Sequence, residues 1–248
     1  MADAPAHPPL ALVTGAARGI GLAITRRLAQ DGLRVMATDV DADQVATEAD
    51  RLRAEGLDVL ACGLDVRDRP AVAALFDRLG SVQVAVNNAG RASRLLPFRA
   101  LDAAALQDML SVNVLGTFIV AQEAVRRMRP GGRIINIASR GYLGGAGAAH
   151  YVASKAAVVG LTRAMAVELR WAGITVNAVA PGMVDTRMLD DFTPAMRRNL
   201  ESREPAGAAA HPGTIADAVA FLASGQAAQI NGQVLLVDGG KSVGMPPL

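Results

Sequence analysis

The 248-residue sequence predicts one doubly wound α/β domain: a parallel seven-stranded sheet with helices on both faces. Three observations predict it. Apolar runs alternate with helical stretches, a glycine-rich turn follows the first run, and an acidic residue ends the second. Residues 1–248 are predicted to form this single domain, without an internal repeat or a second domain. The predicted strands lie near residues 10–13, 34–38, 58–62, 82–86, 132–137, 174–179 and 233–237, with helices between them.

Two segments do not follow the alternation. Residues 1–8 are predicted to form a loose tail, because they have neither the basic start nor the apolar centre of a secretory signal. The longest irregular stretch runs from Pro181 to Pro212, and long loops in compact domains are often lids. We therefore expect residues 183–212 to cover a substrate.

The first strand leads through the turn TGAARGIG, residues 14–21, into a helix. This arrangement places backbone N–H groups and the positive end of a helix where a pyrophosphate can bind, as in Rossmann-type domains. Gly15 and Gly19 would let the backbone approach the phosphates, and Gly21 would let the helix pack closely on the sheet. The spacing Gly-x-x-x-Gly-x-Gly differs from the commoner fingerprint, and a glycine turn without a ligand is the alternative.

Asp39 ends the second predicted strand, about 20 residues beyond the glycines. A carboxylate there is placed to accept hydrogen bonds from the adenosine ribose and should repel a 2′-phosphate, which favours NAD over NADP. Arg18 in the glycine turn argues for NADP, but we give Asp39 more weight because its strand end faces the ribose. The alternative is that Asp39 caps a helix or a turn.

The run NNAG, residues 87–90, follows the fourth predicted strand. Ligands in doubly wound sheets bind beyond the carboxyl ends of the strands, so this turn should border the nicotinamide side of a cofactor. A turn of the Asn-Gly type without a ligand would look similar.

Tyr151 and Lys155 stand four residues apart at the start of a predicted helix, so they share one helix face. An ammonium beside a phenol favours the phenolate, so the pKa of Tyr151 is expected to fall towards working pH. Such a tyrosine can exchange a proton with an alcohol or carbonyl oxygen. Alone, the pair is weak evidence for a catalytic site, because this spacing occurs by chance on many solvated helices. The dinucleotide-binding signature in the same chain makes the catalytic interpretation stronger.

Taken in order, these motifs resemble the short-chain dehydrogenase/reductase family. The resemblance covers the chain from about Pro9 to Gly240, and each motif is modest alone. It is carried by residues 14–21, the NNAG run, Asn113, Ser139, Tyr151, Lys155, Pro181-Gly182 and the VDGG run at 237–240.

The resemblance implies a nicotinamide cofactor, with Asp65 near the adenine amine beside the Val66 backbone, and Thr186 near the nicotinamide amide. Thr186 as a helix cap is the alternative. The predicted cofactor-binding residues are Gly15, Arg18, Gly19, Ile20, Gly21, Asp39, Asp65, Val66, Asn87, Ala89, Gly90, Tyr151, Lys155, Pro181, Gly182, Val184 and Thr186.

The resemblance also implies the catalytic roles. Tyr151 exchanges the hydroxyl proton, Lys155 lowers the tyrosine pKa and binds the nicotinamide ribose, and Ser139 orients the substrate oxygen. Asn113, within a long predicted helix, holds a water that links Lys155 to solvent; a structural asparagine is the alternative. Ser139 stands twelve residues before Tyr151, where the commonest family spacing is thirteen, so its geometry is less certain.

The substrate is predicted from mostly apolar residues around these groups, which favour a small or medium hydrophobic secondary alcohol or its ketone. The predicted substrate-binding residues are Ser139, Tyr142, Leu143, Tyr151 and Met188. Further candidates are Arg91 to Phe98, His150, Met183, Leu189 and Phe192.

Two other functions stay open. One is reduction of a 3-oxoacyl thioester on an acyl carrier protein, which Arg127, Arg129 and Arg170 could dock, although that chemistry usually draws on NADPH. The other is a catalytically idle NAD-binding sensor or scaffold, against which the intact Ser139, Tyr151 and Lys155 argue.

Composition excludes several classes of protein. The net charge is only +2 and aromatic residues make up 3%, so we expect no nucleic-acid partner. No charge-free run approaches the length of a membrane helix, and His7, His150 and His211 show no metal-ligand spacing. A single cysteine, Cys62, rules out an internal disulfide and suits the cytoplasm.

Two predicted helices, near residues 101–128 and 152–170, are apolar on more than one face, so we expect a homotetramer, with a homodimer as the fallback. The apolar tail 243–248 is expected to cross onto a neighbour. The apolar residues are Leu106, Met109, Val112 and Phe118 on the first helix, and Val158, Leu161, Met165 and Leu169 on the second.

Overall fold

A parallel sheet of seven strands forms the centre of the computed structural model, which describes residues 8–92, 95–189 and 193–244. Each strand begins and ends within two residues of its predicted position. The strands are β1 Leu10–Thr14, β2 Arg34–Asp39, β3 Val59–Gly63, β4 Val84–Asn87, β5 Arg133–Ile137, β6 Thr175–Pro181 and β7 Val234–Val237.

Eight α-helices among the described residues cover the two faces of the sheet. They are α1 Gly19–Gln30, α2 Ala42–Ala54, α3 Arg69–Leu79, α4 Ala103–Leu110, α5 Thr117–Val125, α6 Ala149–Leu169, α7 Pro194–Glu201 and α8 Pro212–Ala223. Short 3₁₀ turns lie at Phe98–Ala100, Arg140–Leu143, Arg170–Ala172, Arg187–Leu189 and Gly225–Ala227.

The strand order β3-β2-β1-β4-β5-β6-β7 reverses direction between β1 and β4. All neighbours are parallel, so the carboxyl ends of the strands share one edge. A doubly wound sheet opens a crevice where its order reverses, and ligands bind there. Thr14, Asp39 and Asn87 therefore end their strands around one crevice, as the sequence predicted for Asp39 and the NNAG run.

The alternation of side chains along the strands divides the core between the two faces. Along β1, Ala11 and Val13 pack with α1, α2 and α8, whereas Leu12 packs on the opposite face with α3 and α5. Fully buried side chains such as Ile24 and Phe76 fill the two layers. Burial of each such side chain contributes about 1.5–3 kcal/mol to the stability of the fold. The strand ends that carry the candidate site are therefore held by a well-packed core.

The helix predicted near 101–128 is one helical run, 103–125, with a π-helical segment at Ser111–Gly116 between α4 and α5. By length and mean hydropathy, 1.5 over its apolar window, this run could cross a membrane. However, it carries Asp108 and Glu123, and the buried Glu123 forms ion pairs with Arg126 and Arg127. The run packs against α3 and α6, as a core helix of an α/β domain does.

Part of the lid predicted as irregular is helical. Thr193 accepts a hydrogen bond from the Met196 amide and Pro194 occupies the first turn, so α7 begins with a strong N-cap. No residue of α7 is buried. Most of the predicted loose tail and the end of the apolar tail, 1–7 and 245–248, lie outside the described residues.

Candidate active site

The glycine turn after β1 requires glycine at three positions. Gly15 and Gly19 have φ of 65° and 56°, a left-handed conformation that side chains disfavour. A Cβ on Gly21 would stand 2.1 Å from the Gly15 carbonyl oxygen. The turn therefore presents bare backbone at the start of α1, the arrangement that accepts a pyrophosphate.

Two residues that the sequence analysis did not assign hold this turn in place. The Thr14 hydroxyl accepts hydrogen bonds from the amides of Asn88 and Ala89, at 3.1 and 3.0 Å. The Asn88 side-chain amide donates to the carbonyl oxygens of Thr14 and Gly15, both at 2.9 Å. Polar residues at the ends of the adjacent strands β1 and β4 were the signal that could have found this link.

A cleft of about 610 Å³ opens along the glycine turn. The Cβ-free glycines and the carboxylate at the end of β2 fit an adenine dinucleotide, because the phosphates need close backbone approach and the ribose needs an acceptor. Of the predicted cofactor residues, the cleft is lined by Gly15, Arg18, Gly19, Ile20, Gly21, Asp39, Asp65, Val66, Ala89, Gly90 and Thr186.

Three carboxylates, Asp39, Asp41 and Asp65, line the end of this cleft beside β2 and β3. One Asp39 oxygen accepts from the Ala17 amide at 3.0 Å and the other from the Asp41 amide at 3.1 Å, which fixes the carboxylate towards the turn. The Arg18 guanidinium forms an ion pair with Asp41. Arg67 holds the pKa of Asp65 below its ordinary value through a hydrogen bond, so that group is also ionised.

Asn87 does not line the cleft, so its assignment as a cofactor-binding residue stays a prediction. It is the last residue of β4 and is buried, and its side-chain amide donates to Asn136 on β5 at 2.8 Å. Because successive side chains of a strand point to opposite faces, Asn88 reaches the cleft in its place.

A second cavity, of about 380 Å³, adjoins the first. Ile20, Gly90 and Thr186 line both, so the two meet beside the NNAG turn. Predicted residues that line the second cavity are Ser139, Tyr151, Lys155, Pro181, Gly182 and Val184. The structure therefore brings three of the four predicted catalytic side chains, Ser139, Tyr151 and Lys155, together where the cleft ends.

The catalytic side chains come from two elements that follow β5. Ser139 starts the 3₁₀ turn, and its hydroxyl accepts from the Gly141 amide at 3.0 Å. Tyr151 and Lys155 lie on the first turns of α6. The Lys155 ammonium donates to the Ile137 carbonyl oxygen at 2.8 Å and lies 5.8 Å from the centroid of the Tyr151 ring.

The expected fall in the pKa of Tyr151 is wrong for this geometry. Burial raises the pKa of the Tyr151 phenol, and the hydrogen bond with Ser139 opposes this only in part. Burial also lowers the pKa of Lys155 to about 8. Both shifts favour the neutral forms, as desolvation does, so the tyrosine is poised as a proton donor.

The shortened spacing between Ser139 and Tyr151 leaves these two side chains close together. A Cβ on Gly141 would stand 3.2 Å from the Ser139 hydroxyl oxygen and 3.4 Å from Cε1 of Tyr151. The missing side chain at Gly141 therefore leaves the space in which both groups approach one another.

Asn113 lies in the π-helical segment, and such segments are frequent at functional sites. Its Oδ1 accepts from the Arg91 amide at 2.7 Å, and its Nδ2 donates to the Arg91 carbonyl at 3.1 Å and to Ser154 at 2.9 Å. The side chain thus fixes the turn after Gly90 against α6. Its water-holding role stays a prediction.

Tyr142 and Leu143 do not line the cavity, so their assignment as substrate-binding residues stays a prediction. The 3₁₀ turn packs Tyr142 against the core cluster under β6 and β7 and leaves Leu143 exposed. Arg140 and Gly141 of the same turn line the cavity in their place.

The remaining substrate candidates divide into two groups. Arg91, Ala92, Leu95, Met183 and Leu189 line the cavity. His150, Leu96 and Phe98 do not, and His150 is buried with its Nδ1 unpartnered. Ser93, Arg94, Phe192 and the Met188 side chain lie outside the described residues, and Pro97 does not line the cavity. Across the described ranges, no group of three or more metal-ligating side chains converges.

The chain is similar to known proteins over nearly its whole length. A family model described as enoyl-(acyl carrier protein) reductase matches residues 15–242. (2S)-[(R)-hydroxy(phenyl)methyl]succinyl-CoA dehydrogenase subunit BbsD of Thauera aromatica is 41% identical over 240 residues, 94% of this chain and 96% of that protein. Cis-4-hydroxycyclohexanecarboxylate dehydrogenase of Sinomonas cyclohexanicum is also 41% identical over 240 residues, 93% of this chain and 95% of that protein.

The 3-oxoacyl-[acyl-carrier-protein] reductase FabG of Vibrio cholerae is 38% identical over 238 residues, 93% of this chain and 96% of that protein. Among solved structures, a single-residue variant of the actinorhodin polyketide ketoreductase with NADPH superimposes with a TM-score of 0.88 at 37% identity, covering 96% of this chain and 98% of that one.

Proposed function

The chain belongs to the short-chain dehydrogenase/reductase family of oxidoreductases, and on that premise we propose that it transfers a hydride between NAD(H) and a small or medium, mainly hydrophobic secondary alcohol or its ketone. The observation that carries the proposal is the convergence of Ser139, Tyr151 and Lys155 where the cofactor cleft meets the second cavity. The names of two relatives, which specify a hydroxy(phenyl)methyl and a 4-hydroxycyclohexane group, support an alcohol beside an apolar ring.

When bound, the nicotinamide cofactor supplies the hydride donor or acceptor. The protein binds and orients. Ser139 hydrogen-bonds the substrate oxygen and holds it towards Tyr151, which gives its proton to a carbonyl oxygen during reduction and takes it back during oxidation. Lys155, anchored on the Ile137 carbonyl, places a positive charge near the phenol as the proton leaves.

We propose NAD(H) rather than NADP(H) from the charges at the adenosine end of the cleft. A 2′-phosphate there would face Asp39, at a cost on the order of a few kcal/mol. The one cation of the glycine turn, Arg18, is already paired with Asp41. The structure of the actinorhodin ketoreductase, by contrast, contains NADPH.

Titration of the protein with NADH and NADPH tests cofactor choice, and NADH should bind more tightly. Asp39→Ala should narrow the gap by removing the repulsion. Asp41→Ala should raise affinity for NADPH by freeing Arg18, while NADH binding stays unchanged. Equal or tighter binding of NADPH by the unmodified protein would contradict the proposal.

The reaction itself is tested with a panel of secondary alcohols and ketones, followed at the NADH absorbance with both cofactors. We expect the highest kcat/KM for substrates with an apolar body of six to ten carbon atoms or so, which suits a cavity of about 380 Å³. A panel on which no member is turned over would leave binding as the only activity and favour the idle sensor.

Reduction of a 3-oxoacyl thioester is the second candidate, because the chain is 38% identical to a FabG. The arginines that could dock an acidic carrier protein differ in their existing partners. Arg127 forms ion pairs with Glu123 and Asp77, whereas Arg170 stacks on the exposed ring of Trp171. Turnover of an acetoacetyl thioester faster than of any free ketone would favour this candidate.

We also propose a homotetramer in the cytoplasm. Leu106, Leu115 and Phe118, on the run 103–125, and Val167 and Trp171, at the end of α6, are exposed in the single chain. Met109 and Val158, which belong to the predicted apolar residues of these helices, are buried inside the chain. An exposed apolar surface on two neighbouring helices is typical of a subunit interface.

A further inference from the structure

The second cavity contains an unbalanced positive charge. Five charged side chains line it among the described residues: Arg91, Arg140, Lys155, Glu204 and Lys241. Arg91 forms an ion pair with Asp108, and Lys241 forms one with Glu204, whose side chain is only 8% exposed. Lys155 is held by the Ile137 carbonyl and serves the proton transfer.

Arg140 remains. It is half-buried, and within the described ranges its guanidinium has neither an ion pair nor a hydrogen bond. A guanidinium that lines a concave, mainly apolar wall loses part of its hydration without an internal partner to replace it, and such a group favours an anion that arrives with a ligand.

The position of Arg140 ties that anion to the substrate. Arg140 lies between Ser139 and Gly141, whose hydrogen bond fixes the turn. The cation and the hydroxyl that holds the reacting oxygen are therefore carried by consecutive residues of one short turn. The rest of the wall is apolar, formed in part by Leu95, Met183 and Leu200.

We propose that Arg140 is the specificity-determining residue of this site and binds a carboxylate of the substrate, so that the substrate is a hydroxy acid or the corresponding oxo acid with an apolar body. A carboxylate matches the two parallel N–H donors of a guanidinium. The inference rests on the proposed function, since it identifies the substrate class of the same cavity.

Binding tests the inference without any turnover. Hexanoate and methyl hexanoate share the apolar chain and differ in charge. Titration calorimetry should show hexanoate binding to the unmodified protein more tightly by about 10- to 100-fold, the range of a charge-assisted hydrogen-bonded pair. Arg140→Gln should abolish the difference and Arg140→Lys should keep part of it.

Arg91→Gln is the matched control, because it removes the same charge from the same cavity at a residue that is already paired. It should preserve the preference for hexanoate, and an unchanged urea unfolding transition should show that each variant is folded. Equal binding of hexanoate and its ester by the unmodified protein, a preference that survives in Arg140→Gln, or one that disappears only in Arg91→Gln would overturn the assignment.

Kinetics then separate the two proposals. Matched pairs of a secondary hydroxy acid and its methyl ester, with three to five carbons between hydroxyl and carboxyl, should differ in kcat/KM for the unmodified protein and become equal in Arg140→Gln. If hexanoate binding depends on Arg140 but no hydroxy acid is oxidised, the carboxylate site stands and the proposed reaction fails. If esters are turned over as well as acids, the reaction stands and the carboxylate site fails.

Discussion

Tyr151 and Lys155 lie on one turn of a helix, yet burial shifts their pKa values in opposite directions, towards the neutral form of each group. Their four-residue spacing was readable from the sequence, and so was their convergence with Ser139. The sign of the tyrosine shift was not, because it depends on how much water the surrounding side chains exclude from the phenol.

Tyr151→Phe removes the proton-exchanging oxygen and keeps the ring. We expect turnover to fall by roughly 10²–10⁴-fold, while NADH binding changes little, because general acid–base catalysis contributes about that much. The chain has one other tyrosine, Tyr142, which packs on the core beneath the same turn. Tyr142→Phe is therefore the control and should keep near-normal turnover; a similar loss in both variants would mean that the proton donor is misassigned.

A second prediction concerns the effect of Lys155 on the free energy of unfolding. Its folded pKa of about 8 lies below the ordinary 10.5, so between these values the unfolded chain binds more protons than the folded one. The stability contributed by this group therefore rises with pH across that window. Relative to the unmodified protein, Lys155→Met should gain free energy of unfolding at pH 7 and lose about 2 kcal/mol of that gain by pH 10.

Urea unfolding of both proteins at pH 7 and pH 10, without cofactor, measures this difference. Other titrating groups are common to the two chains and cancel in the comparison. A gap of the same size at both values of pH would show that Lys155 is not buried in its charged form.

At the scale of elements, the turn after β5 decides which side chains face the substrate. The strands were predictable because buried parallel strands are continuous apolar runs. The 3₁₀ turn at Arg140–Leu143 was not, and neither was the π-helical segment that holds Asn113, since no periodicity marks either. For this reason the sequence favoured Tyr142 for the cavity, whereas the structure places Arg140 there.

Gly141→Ala tests the crowding within that turn. The added methyl group would press on the Ser139 hydroxyl at 3.2 Å and on the Tyr151 ring at 3.4 Å, so one of them must move by a few tenths of an ångström. We expect kcat to fall roughly 10-fold, in line with the sensitivity of catalysis to misplacement, with unchanged NADH affinity.

Gly145→Ala is the control for this change. Gly145 lines the same cavity, but its added Cβ would meet only Val152, at an ordinary 3.8 Å. Activity should stay near normal. Equal losses in the two variants would indicate that the cavity simply tolerates no added volume, and would remove the special role of Gly141.

At the scale of the whole molecule, the outward side of α6 carries small residues at helical spacing. Ala153, Ala156, Gly160, Ala164 and Val167 are all exposed in the single chain. The sequence indicated a helix apolar on more than one face, but it could not separate the residues that the chain itself buries, such as Val158, from those left for a partner.

Gly160→Leu tests whether that side forms an interface. Nothing lies within 4 Å of a Cβ added at Gly160, so the change is harmless within one chain and obstructive where two α6 helices meet. Light scattering at micromolar concentration should give four times the 25.6 kDa chain mass for the unmodified protein and a lower multiple for Gly160→Leu.

Ala46→Leu, an equally exposed helical position on α2, should leave the mass unchanged. A monomer mass for the unmodified protein would refute the assembly altogether. A dimer would refute only the second interface.

The link between Thr14 and Asn88 has a consequence for how the chain reaches this fold. Its partners are 74 residues apart, and β1 pairs with β4 across the same interval. Contacts of such sequence separation form late, because the loop entropy is lost before the pairing compensates for it. During synthesis the glycine turn therefore cannot reach its final conformation until β4 has left the ribosome. Until then the β4-facing edge of the apolar strand β1 stays unpaired, which favours aggregation.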